Sequence, residues 1–139
     1  MGQAHWSYEA DFVADAASVA AAREFVRGHL LHHGLSYLVE DVRLVVSELT
    51  TNAMIHAQTP FTVTLAQGDR SVLLTVRDGS PESPVQMAAT VLNTAGRGIS
   101  IVSQVSSNWG VTAAVDISHA KSVWASFDAT PRLVSSSTG

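Results

Sequence analysis

Val45-Val46-Ser47-Glu48-Leu49-Thr50-Thr51-Asn52-Ala53-Met54-Ile55-His56-Ala57 is the stretch on which the reading of this chain turns. At about 3.6 residues per turn, Val42, Val45, Val46, Leu49 and Ala53 share one helix face, an apolar stripe suited to packing on a sheet. Glu48 and Asn52 are four apart, so their side chains stack on one side of the helix. They border the apolar stripe, with Leu44 and Ile55 on their far side, and His56 falls on the same border. A solvated face would group its polar residues opposite the core instead. The Asn oxygen is a hard neutral ligand of the kind Mg²⁺ takes beside water and phosphate. A neighbouring carboxylate can accept a proton from an attacking hydroxyl. The spacing alone favours the plainer reading, an exposed glutamate beside residues that make local hydrogen bonds, since polar pairs four apart are common.

Working outward, this helix runs from about Tyr37 to Ala57 and stops before Pro60. An earlier helix, capped by Asp15 or Ser18, carries Val19, Ala22, Phe25, Val26 and Leu30 at helical spacing and ends at Gly34. Trp6–Val13 alternates as a first strand. Phe61–Ala66 and Ser71–Arg77 read as a hairpin joined by Gln67-Gly68-Asp69-Arg70. Gln86–Ala95 has no clean period, Ile99–Val105 is a short apolar helix, and strands follow near Trp109–Val115 and Val123–Phe127. This order gives an α+β fold, a two-layer α/β sandwich whose mostly antiparallel sheet is covered by helices on one face.

Two further places can carry chemistry. Asp78 stands where a strand leaves the sheet, and its acceptor-only carboxylate can receive an exocyclic amine such as the N6 of adenine. It also reads as a turn aspartate opening Asp78-Gly79-Ser80-Pro81. Gly96-Arg97-Gly98 precedes a helix, where free N–H groups and the Arg97 charge suit a phosphate, although a structural turn explains it almost as well. His32-His33 has no acidic ligand cluster beside it and reads as solvated or partly packed, and Trp109 and Trp124 as core or partner-facing aromatics.

In this order and spacing the motifs resemble the gyrase/histidine-kinase/MutL ATPase superfamily, the Bergerat fold, and within it the stand-alone anti-sigma-factor serine/threonine kinases. The stretch from Val45 to Ala57 is similar to the N box, Val76–Pro81 to the first glycine box and Gly96–Val102 to the second. Trp109-Gly110-Val111 and Lys121–Ala125 match the closing strands. The resemblance implies Glu48 as general base, Asn52 as Mg²⁺ ligand and Asp78 as acceptor of the adenine amine. It places Ser80 in the same wall, Ser122 near the adenine and His56 at the border. Gly96, Arg97 and Gly98 would close on the phosphates, under a mobile lid formed by Gln86–Ala95. Residues 1–129 would be one histidine-kinase-like ATPase domain, followed by a disordered tail over 130–139. ATP and Mg²⁺ would be the cofactors. The implied partners are an anti-anti-sigma protein of the STAS fold, which receives the γ-phosphoryl group, and a sigma factor, with homodimers common in the family. The first glycine box departs from Asp-x-Gly-x-Gly, reading Asp78-Gly79-Ser80-Pro81-Glu82, and the closing Gly-Lys-Thr reads Ala120-Lys121-Ser122.

Composition narrows the alternatives. With 139 residues the chain fits one domain, and 14% charged residues leave much apolar surface for a protein partner or self-association. A net charge of −4, with only eight Lys and Arg spread along the chain, argues against nucleic acid. The absence of cysteine excludes disulfides and thiolate chemistry. No segment is apolar and long enough to span a bilayer, and the N-terminus does not read as a secretory signal, so the expected compartment is the cytoplasm. Two other functions fit the motifs: a non-catalytic module whose partner affinity follows nucleotide, and a histidine-kinase catalytic domain. Against the latter, no helical hairpin with a phosphoacceptor histidine precedes the first strand.

Overall fold

The computed structural model describes residues 5–79, 102–113 and 121–129, apart from the side chains of His56 and Ala113. Residues 16–32 form α1 (Ala16–His32), which starts where Asp15 caps it: the carboxylate accepts the Ser18 amide at 2.9 Å. It stops where Gly34 turns left-handed at φ +73°. There the Gly34 amide reaches Leu31 O and the Leu35 amide reaches Leu30 O, the paired closing bonds of a Schellman end. A 3₁₀ turn over Ser36–Leu38 leads into α2 (Val39–Asn52).

The helix expected to run unbroken to Ala57 instead changes pitch. Ala53–Ala57 is a π turn, closed by Gln58 in the left-handed region at φ 56°. Both α-helices bury the predicted stripes: Val19, Ala22, Val26 and Leu30 on α1, Val42, Val45, Val46 and Leu49 on α2.

The sheet comprises β1 (Trp6–Phe12), β2 (Phe61–Gln67), β3 (Ser71–Asp78), β4 (Asn108–Ala113) and β5 (Lys121–Asp128). Its order is β1-β2-β3-β5-β4, and every pairing among the described residues is antiparallel. Alternation sets the two faces. Val63, Leu65, Val72, Leu74, Val76, Val123, Ala125 and Phe127 point to the helices and are buried. Each buried side chain of this kind contributes roughly 1.5–3 kcal/mol, so this layer is the main source of stability. A helical turn over 102–105 adds buried Val102 to the same core.

At the β1 edge, aromatic contacts fasten α1 to the sheet. The Trp6 ring stacks on His33 at 4.3 Å and Tyr8 on His29 at 3.7 Å between centroids. Tyr8 and His33 also share a 2.7 Å hydrogen bond. Of the adjacent histidines, His33 is therefore packed while His32 is exposed.

Candidate functional site

The site forms where α2 ends above one end of the sheet. The pairing puts Phe61, Asp78, Lys121 and Ala113 in one row across β2, β3, β5 and β4. Asp78 and Lys121 continue the buried, helix-facing series of their strands, so a carboxylate and an ammonium lie where the apolar core gives way to polar groups. They are 5% and 2% exposed, with Lys121 Nζ 4.0 Å from Asp78 Oδ1. Taking both charges out of water costs several kcal/mol per ion, which makes the pair expensive unless something is done with it.

The last turn of α2 meets this row from above. Asn52 is 7% exposed, whereas Glu48, one turn earlier, is half-buried, and so the pair straddles the boundary between core and solvent. Leu44 and Ile55 beyond them are exposed. The π turn packs against β3. The loop that follows is tied to the end of β3, where the Gly79 amide donates to Thr59 Oγ1 at 3.0 Å. Pitch change, left-handed Gln58 and this bond together fix the end of α2 relative to Asp78. A π turn leaves the i→i−4 ladder and is frequent at functional positions. Thr50, fully buried one turn above the site, satisfies its hydroxyl by donating to Val46 O at 2.6 Å.

The structure thus brings Asp78 and Asn52 to the same interior end of the fold, with Glu48 at its rim. It does not bring Ser122 there. Ser122 pairs with Arg77 and faces the side of the sheet away from the helices, while its neighbour Lys121 takes the inward position beside Asp78. Lys121 is the polar side chain that the motif reading overlooked. The available signal was its period-two relation to Val123, Ala125 and Phe127. Ser80, Gly96, Arg97, Gly98, the segment Gln86–Ala95 and the tail 130–139 lie outside the described residues, as does the His56 side chain; the His56 backbone is part of the π turn.

Chemically, the row offers an acceptor (Asp78) next to a donor (Lys121), and α2 offers a neutral oxygen (Asn52) and a second carboxylate (Glu48). These oxygen donors fit Mg²⁺, a hard cation that usually takes one or two protein ligands and keeps waters and phosphate oxygens for the rest. Among the described residues no group of three or more His, Asp or Glu could hold a metal unaided. A separate cavity of about 440 Å³, lined by Tyr37, Asp41, Phe127 and Asp128 among others, lies toward the opposite end of β5 and shares no residue with this site.

A family model described as a histidine kinase-like ATPase domain matches residues 12–115, from the end of β1 to just past β4. No curated protein matches the chain.

Proposed function

Because the chain belongs to the histidine kinase-like ATPase domain family, we propose that it is an ATP-dependent serine/threonine protein kinase of the anti-sigma type. It would phosphorylate a STAS-fold partner and hold a sigma factor in the cytoplasm when that partner is phosphorylated. The observation that carries this reading is the convergence of Asn52 and Asp78, both nearly buried, on one end of the core, with Glu48 at the solvent rim.

In the proposed reaction the adenine amine donates to Asp78. Asn52 would hold Mg²⁺, which when bound neutralises charge on the phosphate oxygens. The partner's hydroxyl oxygen attacks the γ-phosphorus, the bond from that phosphorus to the β-bridging oxygen breaks, and ADP leaves. The hydroxyl proton passes to Glu48. Phosphoryl transfer needs mainly positioning and charge compensation, so a shallow carboxylate suffices as base. A half-buried Glu48 can reach a macromolecular substrate that a fully buried one could not.

The test is transfer of labelled γ-phosphate to a STAS protein. Glu48→Ala is expected to retain ATP binding and lose roughly 10²–10⁴-fold in transfer rate, the usual contribution of a general base. Transfer at the wild-type rate in that variant would refute the assignment.

A further inference from the structure

The short loop between the end of α2 and β2 is built under constraints that burial does not account for. Gln58 occupies the left-handed region at φ 56°, where residues other than Gly, Asn and Asp are uncommon and are held only by their surroundings. Pro60 disfavours helical backbone at Thr59. It also has no N–H with which to carry the ladder past Phe61 and Asp78, the last pair of β2 and β3. Thr59 lies between these two restraints, and its Oγ1 accepts the Gly79 amide at 3.0 Å. A Cβ added at Gly79 would meet the Thr59 side chain at 3.6–3.9 Å, ordinary contact distance. The hydrogen bond, and not a steric demand for glycine, is therefore what joins the two residues.

Gly79 directly follows Asp78, so Thr59 grips the peptide next to that carboxylate. The same loop closes the π turn that continues the helix carrying Asn52, through the bond from the Gln58 amide to Ala53 O at 3.1 Å. One side-chain bond thus links the strand end that bears Asp78 to the helix end that bears Asn52. We infer that Thr59 is a positioning residue of the nucleotide site, holding the Asp78 carboxylate in register with Asn52 by way of the Gly79 amide. This rests on the reading of Asp78 as the adenine acceptor. The bond lies at the surface, where water can replace either partner, so its contribution to stability is modest. Its importance is positional. A hydrogen bond spans about 2.7–3.2 Å, so a carboxylate free to shift by roughly half an ångström gives up much of its contact with the amine.

The experiment compares binding of ATP and of purine riboside triphosphate, which lacks the N6 amine, to the whole chain and to Thr59→Val and Thr59→Ser. Val keeps the branched shape and removes the acceptor, while Ser keeps the hydroxyl. The wild type is expected to bind the analogue about 10- to 100-fold more weakly than ATP, the usual worth of a hydrogen bond to a charged group. In Thr59→Val, ATP is expected to weaken about 3- to 10-fold with the analogue unchanged, so the ratio of the two shrinks by that factor. Thr59→Ser should restore the wild-type ratio. The ratio of two ligands does not depend on the fraction of folded protein, so a loss of stability leaves the readout intact. A wild-type ratio in Thr59→Val, or a Thr59→Ser protein that behaves like Thr59→Val, would overturn the role of Thr59 and leave Asp78 as adenine acceptor. A wild type that binds ATP and the analogue alike, or binds neither, would overturn both.

Discussion

Gly110 on β4 pairs with Trp124 on β5, on the sheet face away from the helices. A Cβ built at Gly110 would lie 2.6 Å from Trp124 Cζ2 and 2.8 Å from Cε2. Carbon atoms settle at about 3.5–4.0 Å, so Gly110→Ala must push the indole outward by roughly 1 Å. Overpacking of this kind costs about 1–3 kcal/mol. Against it, replacing a strand glycine by alanine returns about 0.5–1 kcal/mol of backbone entropy. That gain is available because Gly110 is not among the residues with positive φ. The net expectation is a loss of up to about 2.5 kcal/mol, read as a lower urea midpoint at unchanged slope. The stronger check is a reversal of sign. In a Trp124→Ala background the obstruction is gone, and Gly110→Ala should stabilise by about 0.5–1 kcal/mol. If Gly110→Ala stabilises the wild type, or acts alike in both backgrounds, the close approach of ring and backbone does not set the packing here.

Two other expectations concern α1. Asp15→Ala removes the cap on the Ser18 amide and should cost about 1 kcal/mol in a denaturation series, while an unchanged midpoint would mean the cap contributes nothing. His29 and His33 are held below the ordinary imidazole range, first by burial and then by neighbouring imidazoles, His33 and His32 acting on His29 and His32 on His33. A depressed native pKa means the unfolded chain binds more protons, so this contribution is complete above about pH 6.5 and lost as pH falls below it. Midpoints measured from pH 8 to pH 5 should decline, less steeply in His29→Phe, and identical profiles for the two proteins would contradict the assignment.

Much of the fold was legible because burial follows the period of each element. Val63, Leu65, Val72, Leu74 and Val76 alternate in the sequence as they do in the sheet, and Val45, Val46 and Leu49 pack as the helical wheel predicts. The π turn was not legible, since over one turn the spacing of apolar residues hardly separates four-residue from five-residue bonding. That change of pitch also limits any wheel argument carried as far as His56. At the candidate site, spacing put Glu48 and Asn52 on one side of a helix and Asp78 at a strand end, but it was the motif resemblance, not the spacing, that made them candidates. Lys121 was not among them, because its partner lies on another strand and register is set by the whole sheet. The motif resemblance drew attention to Ser122, while strand alternation alone already puts Lys121 on the side of Val123 and Ala125.

The account stands on ATP binding through α2 and β3, and calorimetric titration with ATP and ADP, with and without Mg²⁺, tests it most directly. The wild type is expected to bind ATP in a Mg²⁺-dependent way. Asn52→Ala should lose that dependence, and Asp78→Asn should weaken ATP and ADP alike by about 10- to 100-fold. A wild-type protein that binds neither nucleotide, or an Asp78→Asn protein that binds both as tightly as the wild type, would contradict the central claim.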